Sequence, residues 1–350
     1  MQSKPLLKAA LLALLIVVGF LTVWECYWRS RGFPISYDDD ASLWSTKRKQ
    51  IYAPIDAATV FIGSSRIKFD LDIPTWERET GERVVQLCFV GTSPRPVLDD
   101  LGNDERFKGK VIIDVTEGLF FDPNQKRSEK SAVDALEYYR NWTPAQKASA
   151  RLNYLLESAF VFLSKEKFSL NSFLNEIPLP KRKGVFVFPL FPREFEMNTA
   201  ERQNYMTERF EKDPALQKKQ TDNWVALGAL NKTPGISGEA LDAVFKQVKT
   251  AIDKIRSRGG QVCFVRTPSS GGYIETENVV YPRGKYWDPL LTFTETPGIH
   301  FEDYPATAQL VCPEWSHLSS QDTIPYTLHL IRTLEEEKGW KFQRHALAHR

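Results

Sequence analysis

Few residues of this chain are suited to binding metal ions or to forming disulfide bonds. The 350 residues include 4 cysteines and 5 histidines, and none of them shows the spacing of a metal site. No glycine-rich phosphate loop is present, and no internal repeat or low-complexity segment stands out. We therefore expect no metal, no nucleotide cofactor and no repeat architecture.

An excess of charge of one sign is also missing. The chain has 46 Lys and Arg against 44 Asp and Glu, a formal net charge of +2, so no overall field favours nucleic acid as a partner. Apolar residues make up 42% and charged residues 26%, as in ordinary globular proteins. The cysteines lie mostly in apolar runs, as Cys88 and Cys263 do, which favours small core side chains over a disulfide framework.

The N-terminus departs from this average composition. Residues 9–24, "AALLALLIVVGFLTVW", carry no charge, and they are preceded by Lys4 and Lys8 and followed by tryptophan, tyrosine and arginine. This pattern predicts a single transmembrane anchor over residues 1–30. Two alternatives stay open. A cleaved signal peptide would need small residues where "VWECYWRSRG" has bulky ones, and a buried core helix would be unusual at a chain end.

The charges on either side of the apolar segment give an orientation. The amino terminus with its lysines favours the cytoplasmic side, and three aspartates at 38–40 favour the other side. We therefore expect the bulk of the chain to lie outside the cytoplasm, on the periplasmic side, joined to the anchor by a linker and entry segment at 31–55.

Apolar runs of strand length punctuate the remainder of the chain. Three of them occupy residues 59–62, 84–89 and 110–115, where the apolar positions are continuous, as in strands buried on both faces of a parallel sheet. "QVCFVRTP" at 261–268 predicts a fourth strand. His300 borders a fifth such run, and we assign it no role. Helical patterns at 41–51, 97–107 and 238–260 alternate with the strands, and a capping-like sequence at 319–322 predicts a last helix that begins just after His317. The pattern is typical of an α/β domain with a doubly wound parallel sheet, over residues 56–340.

Residues 125–235 interrupt this alternation. Two helical patterns, at 128–141 and 144–164, are followed by "GVFVFPLF" at 184–191, which alternates like a strand or hairpin. We interpret the stretch as a largely helical insertion that covers the sheet edge or shapes a pocket. Residues 341–350 form a tail.

Polar residues collect at the predicted carboxyl ends of the strands, where open α/β sheets bind ligands. They are Ser65 in "GSSR", Gly91, Thr116 with Glu117, and Arg266. His317 arrives on the loop before the last helix, three residues after Glu314.

Three of these residues have the types needed for nucleophilic catalysis. A serine hydroxyl needs a base to remove its proton, and the base needs an acceptor on its other nitrogen. Ser65, His317 and Glu314 supply one residue of each type. The backbone amides of Ser65 and Gly91 are candidate oxyanion donors. An ordinary turn at Ser65 and a solvated loop histidine are the alternatives.

The sequence resembles the SGNH (GDSL-like) hydrolase superfamily in its membrane-anchored bacterial form. "IGSSR" is similar to the first block, with Ser65 as the nucleophile, and "VQLCFVGTS" is similar to the second, with Gly91 as the oxyanion glycine. "PEWSHLS" is similar to the last block, with His317 as the base and Glu314 in place of the usual aspartate. The resemblance spans roughly residues 55–122 and 238–338. It implies a three-layer α/β/α fold with a flavodoxin-like parallel sheet.

The third block departs from the family. Members usually offer an asparagine to the oxyanion there, whereas this chain has "IIDVTEGLFF", with Thr116 or Glu117 in that neighbourhood. An ionised Glu117 would repel an oxyanion. Arg266 has two interpretations, a substrate-binding cation or the ion-pair partner of Glu117.

The resemblance implies a serine esterase or acyltransferase that acts on O-acyl groups, typically acetyl, of cell-envelope or exported carbohydrate. Its expected partners are an acylated carbohydrate or acyl donor and a polytopic membrane acyltransferase. Two alternatives stay open: a catalytically inactive scaffold that binds glycan or that acyltransferase, and an anchored structural domain without a small-molecule site.

Overall fold

The computed structural model describes residues 3–54, 57–177, 189–230 and 235–342. Its centre is a five-stranded parallel sheet, and a separate antiparallel pair of short strands lies in the middle of the chain. The strands are β1 (Ala58–Ile62), β2 (Arg83–Gln86), β3 (Lys110–Asp114), β4 (Glu196–Asn198), β5 (Asn204–Met206), β6 (Gln261–Arg266) and β7 (Gly298–His300). The order in the large sheet is β2-β1-β3-β6-β7, and all neighbours run parallel.

Helices occupy most of the remaining described chain. They are α1 (Ser3–Ser30), α2 (Ala41–Arg48), α3 (Ser65–Asp70), α4 (Ile73–Thr80), α5 (Arg95–Asn103), α6 (Glu117–Phe120), α7 (Gln125–Ser128), α8 (Lys130–Arg140), α9 (Pro144–Glu157), α10 (Lys165–Phe168), α11 (Leu170–Asn175), α12 (Glu208–Lys212), α13 (Pro214–Leu230), α14 (Glu239–Ser257), α15 (Gly271–Val280), α16 (Trp287–Thr294), α17 (Pro305–Ala308) and α18 (Thr323–Glu336). Short 3₁₀ turns lie at Lys49–Tyr52, Val161–Leu163 and Phe301–Asp303.

The sheet is buried on both faces, which explains its continuous apolar runs. Successive side chains of a strand point to opposite faces. In β1, Val60 and Ile62 therefore pack with α5, α14 and α16. Phe61 points to the other face and packs with α3, α4 and α18. The α/β class with a parallel central sheet is thus confirmed.

Several predicted boundaries differ from the observed ones. Strand β2 ends at Gln86 rather than at residue 89, but the Leu87 and Phe89 amides still donate to the carbonyls of Phe61 and Gly63, at 2.8 and 3.1 Å. The last helix begins at Thr323, because residues 319–322 form a separate turn first. The fifth strand is present as β7.

The strand or hairpin predicted at 184–191 falls largely outside the described residues, which resume at 189, and residues 189–191 are not in a strand. The hairpin of this region is instead β4–β5. Only residues 341 and 342 of the predicted tail are described.

Helix α1 is long and apolar enough to cross a membrane once, with a mean hydropathy of 2.6 over its most apolar window and none of that window buried. A signal sequence would have the same properties. The end of α1 packs on the chain after α9: the Arg29 guanidinium donates to the Ala159 carbonyl at 3.1 Å, and Glu25 accepts from the Val161 amide at 3.0 Å. All four cysteines are free thiols, and Cys26 alone among them is exposed.

Gly63 ends β1 at a point of close approach. A Cβ atom at this position would lie 2.5 Å from the Cβ of Asp114 and 2.7 Å from the Cγ2 of Ile67. The first contact is with β3 and the second with α3, so the turn from β1 into α3 has no space for a side chain at residue 63.

We expect Gly63→Ala to lower the free energy of unfolding by about 1–3 kcal/mol, because overpacked sites must shift backbone or rotamers. Gly228→Ala is the matched control. Gly228 lies on the exposed side of α13 with no atom within 4 Å of its added Cβ, so the alanine should leave stability equal or raise it by up to about 1 kcal/mol. Urea unfolding of the full chain in detergent measures both. Equal stability of the two variants would contradict this account of Gly63.

Candidate active site

Ser65 stands at the junction between β1 and α3. The hydroxyl of Ser64 caps α3 by accepting a hydrogen bond from the Arg66 amide at 3.2 Å, and Ser65 is the first residue of the helix. Ser64 is buried, whereas Ser65 is partly exposed. The capped turn thus presents the Ser65 side chain at the carboxyl edge of the sheet.

His317 lies between Ser65 and Glu314. Its Nε2 is 2.9 Å from the Ser65 Oγ, and its Nδ1 is 2.8 Å from the Glu314 Oε1. Because a carboxylate only accepts, Nδ1 carries the proton and Nε2 is left to accept from the serine hydroxyl. The same Glu314 oxygen also accepts from the amides of Ser316 at 3.2 Å and His317 at 2.7 Å. The structure thus brings the three residues into one hydrogen-bonded series.

Aromatic rings surround the imidazole on its remaining sides. The ring centroid of Phe69, from α3, lies 4.2 Å from that of His317, and that of Phe195 lies 6.0 Å away. His317 and Glu314 are both fully buried. The imidazole is therefore held by packing as well as by hydrogen bonds.

The second oxygen of Glu314 has its own donor. The indole Nε1 of Trp224 donates to Glu314 Oε2, and the Trp224 ring packs edge-on against Phe191 and Tyr273, at 5.0 and 5.7 Å. Trp224 belongs to α13, in the stretch interpreted as an insertion. Sequence analysis did not find this residue, because a tryptophan in a helix of no recognised motif carries no signal for a contact with residue 314.

A second buried carboxylate lies behind the histidine loop. Asp70, the last residue of α3, accepts a hydrogen bond from the Leu318 amide at 2.9 Å. Burial raises the pKa of Asp70 to about 7, although nearby His317 and the Leu318 hydrogen bond act in the opposite direction. This residue also escaped sequence analysis, since "FDLD" reads as an ordinary helix end.

Gly91 and Ser65 occupy adjoining turns. The segments that follow β1 and β2 stay side by side as far as the hydrogen bond from the Phe89 amide to the Gly63 carbonyl. Ser65 lies two residues after Gly63, and Gly91 lies two residues after Phe89. Gly91 is exposed and has a φ of +60°, a left-handed conformation that side chains disfavour. Ser65 opens a helix, so its amide is among those without an intrahelical acceptor. Both amides are thus placed at the carboxyl edge of the sheet.

The other three candidates, Thr116, Glu117 and Arg266, bond to buried side chains other than Ser65 and His317. The Thr116 hydroxyl lies 2.6 Å from the Ser64 Oγ and donates to Asp114 at 2.9 Å, on the inner side of the turn. Glu117 and Arg266 are buried and joined at 2.8 Å. The interpretation of Arg266 as an ion-pair partner therefore describes the structure, and its interpretation as a substrate-binding cation does not.

Arg266 belongs to a larger buried charge cluster. Its guanidinium also reaches Glu277 of α15 at 2.6 Å, and Arg66 reaches the same carboxylate at 2.5 Å. Burial opposes ionisation of Glu277, but the two guanidinium groups hold its pKa below the ordinary value. Burial raises the pKa of Glu117, against the attraction of Arg266. Through Glu277, the cluster joins Arg66, the neighbour of Ser65, to α15 and to Arg266 at the end of β6.

A polar cavity of about 340 Å³ lies near this edge of the sheet, and neither Ser65 nor His317 is among the residues that line it. It borders Lys68, three residues after Ser65 on α3, and Val90, the neighbour of Gly91. Its polar lining includes Asp39, Lys68, Glu166, Glu196, Asn198 and Asn204. Within the described ranges, no group of three or more His, Cys, Asp or Glu side chains is placed to hold a metal ion.

Comparison with known proteins finds no family model that matches this chain and no curated protein with significant sequence similarity.

Trp224 is expected to act as a positioning residue. Trp224→Phe keeps a ring against Phe191 and Tyr273 but removes the indole donor, and a hydrogen bond to a charged group contributes about 1.5–3 kcal/mol. We expect the reaction rate of Ser65 with a fluorophosphonate to fall about tenfold or more, and kcat on a small ester to fall with little change in KM.

The matched control is Trp142→Phe, because the buried indole nitrogen of Trp142 has no hydrogen-bond partner among the described residues. Wild-type kinetics in Trp224→Phe, or an equal loss in both variants, would contradict a positioning role.

Asp70 is expected to make stability fall as the pH rises. Its pKa is about 7 in the folded chain and about 3.9 in an unfolded one, so the folded chain binds the additional proton within that window and the free energy of unfolding decreases with pH there. Asp70→Asn keeps the acceptor for Leu318 but does not titrate. The variant should therefore gain stability relative to wild type between about pH 4 and about pH 7.

Urea unfolding of wild type and Asp70→Asn at a series of pH values measures the difference in their free energies of unfolding. The titration of other groups is common to both proteins and cancels in that difference. A difference that stays constant across the window would show that Asp70 titrates normally.

Proposed function

We propose that this protein is a membrane-anchored serine esterase or acyltransferase of the SGNH type. The observation that carries the proposal is the hydrogen-bonded series Ser65–His317–Glu314, with the serine partly exposed and the other two residues buried. The proposed base hydrogen-bonds to the proposed nucleophile on one side and to the orienting acid on the other, which is the arrangement of a catalytic triad for acyl transfer.

In the proposed reaction, Ser65 Oγ attacks the carbonyl carbon of an ester while its proton passes to His317 Nε2. Glu314 stabilises the imidazolium that forms. The tetrahedral intermediate collapses, the C–O bond to the alcohol breaks, and His317 returns the proton to the departing alkoxide. The acyl group stays on Ser65. Attack by water then gives hydrolysis, and attack by a sugar hydroxyl gives transfer, with His317 again removing the proton.

The backbone amides of Ser65 and Gly91 are the donors proposed for the oxyanion. The third donor common in the resembled family is absent from "VTEGLFF". Glu117, the acid at this place, is turned toward Arg266 at 2.8 Å. Its charge is therefore balanced within the protein, which removes the main electrostatic objection to an oxyanion at this edge.

The topology supports the same assignment. Counted within the large sheet alone, the strand order is 2-1-3-4-5, which is the flavodoxin-like order. In such sheets ligands bind beyond the carboxyl ends of the strands, where Ser65 and Gly91 follow β1 and β2. This agrees with the three-layer fold that the resemblance implies.

The proposed substrate is an O-acylated carbohydrate of the cell envelope or an exported polysaccharide, with acetyl as the acyl group. The resemblance supplies this class. Helix α1 would anchor the enzyme with the site outside the cytoplasm, beside a polytopic acyltransferase that supplies or receives acyl groups.

The non-catalytic scaffold remains the second candidate, and it rests on the missing asparagine donor of the third block. The third reading, a structural domain without a site, requires Ser65 and His317 to lie apart or behind packed side chains. Their separation of 2.9 Å and the partial exposure of Ser65 count against it.

The full chain in detergent, treated with a fluorophosphonate, should gain a single adduct by intact mass. Ser65→Ala should gain none. His317→Ala should react at least about 1000-fold more slowly, because triad members act as a unit.

Ser158→Ala, a change at an exposed serine that ends α9, should label like wild type. The serine mechanism would be contradicted if folded wild-type protein gained no adduct, or if an adduct persisted in Ser65→Ala. The non-catalytic scaffold would then be the better explanation. In that event glycan binding would be the next measurement.

A further inference from the structure

Helix α11 carries an apolar face that the described residues cover only at Phe173. Leu170, Phe173, Leu174 and Ile177 follow one another at helical spacing, with Ile177 in the turn just beyond the helix, and such residues share one face. Leu170 is 74% exposed, and Leu174 and Ile177 are each more than half exposed. Exposed apolar side chains that lie together in this way form a candidate interaction surface.

Helix α9 has the same character near its end. Leu152, Leu155 and Leu156 lie at helical spacing, and Leu155 is 64% exposed. No residue of α9 is fully buried. One and two turns earlier on the same helix stand Arg151 and Lys147, which have no acidic partner among the described residues.

Both apolar faces lie at the end of the proposed membrane span. Phe173, between Leu170 and Leu174 in the chain, contacts Trp24 and Trp28, with its ring centroid 6.3 and 6.0 Å from theirs. On the other side, the Ala159 carbonyl, next to the end of α9, accepts from Arg29. The exposed apolar stretch of α1 that precedes Trp24 runs from Leu6 to Val23. At 1.5 Å per residue it spans about 27 Å, close to the thickness of a hydrocarbon core.

We propose that Leu152, Leu155, Leu156, Leu170, Leu174 and Ile177, here called the interfacial patch, insert into the headgroup region of the bilayer around the exit point of α1. The proposal rests on the proposed function only in taking α1 as a membrane span. Phe173 of α11 contacts Trp24 of α1, so the patch adjoins the end of the span. A bilayer that contains α1 would therefore also contact the patch.

Three cations beside α9 favour a bilayer with anionic lipids as the occupant, and the acids next to the patch in the chain are Glu157 and Glu176, of which Glu176 is paired with Arg193. Lys147 and Lys49 lie 5.7 and 4.3 Å from the ring of Trp142, and Arg151 follows on α9. A basic helix with an apolar face and flanking tryptophan is typical of the membrane interface. A second copy of the chain would instead bring these cations against their own equivalents.

The consequence is a fixed orientation. Contacts at the end of α1 already hold the domain to the span, and two interfacial helices would add two further points of attachment to the bilayer. The edge of the sheet that carries Ser65 would then keep a constant height above the bilayer.

The test uses the full chain in vesicles of phosphatidylcholine and phosphatidylglycerol, in a Cys26→Ser background, since the other three cysteines are buried. Single cysteines replace Leu155, Leu170 or Leu174 and carry an environment-sensitive fluorophore. Matched controls are Val279→Cys and Val311→Cys, which are 81% and 66% exposed on the remainder of the domain. Val17→Cys, within α1, reports the span itself.

Lipids with a nitroxide near the glycerol backbone should quench the three patch labels about twofold, since interfacial helices bury their apolar face by about 5–10 Å. Lipids with a nitroxide deep in the acyl chain should quench Val17→Cys. The two controls should be quenched by neither.

A quenched Val17→Cys with unquenched patch labels would overturn the interfacial patch while the anchor stands. Patch labels that are shifted to the blue but not quenched by either lipid would show that protein covers the patch, which also overturns the proposal. An unquenched Val17→Cys would remove the anchor and, with it, the premise of this inference, without bearing on Ser65.

Discussion

One of the two hydrogen bonds of the His317 ring joins parts of the chain that are far apart in sequence. One bond reaches the turn after β1 and the other holds the loop before α18, and the serine and histidine are 252 residues apart. Such a contact exists only if the parallel sheet brings the end of β1 and the loop before α18 to the same edge. The packing of α18 against α3 and α4 supplies that arrangement. Geometry at the site is therefore a property of the whole α/β domain.

Buried charges reinforce the same edge. Arg66, next to Ser65, meets Glu277, which also binds Arg266 and through it Glu117. Removing one member would leave an uncompensated buried charge, which typically costs about 3–5 kcal/mol. On the other side of α3, Lys68 binds Asp39, which is held in turn by Arg202 from the turn between β4 and β5. The helix that begins with Ser65 is thus fixed by ion pairs on both sides.

The sequence predicted the framework better than the surroundings of the site. Apolar runs bounded by glycine located β1, β3 and β6 within a residue or two, because burial on both faces requires such runs. The pair of Glu314 and His317 was recognisable from its spacing before a helix. The contact of Trp224 with Glu314 was not, since it depends on where α13 lies relative to the loop before α18, and no local pattern encodes that placement. The pairing of Glu117 with Arg266 was one of two interpretations, and the 2.8 Å contact between the two buried side chains distinguished them.

The separation of Ser65 from His317 also has a consequence in time. Synthesis at about 5–20 residues per second leaves an interval of roughly 10–50 s between the two residues, during which the serine has no base. The Glu314 partner Trp224 lies between them in the chain, so it too is made before the acid that it orients. A chain that emerges N-terminus first thus lacks the hydrogen-bonded series of Ser65, His317 and Glu314 until its last helix docks.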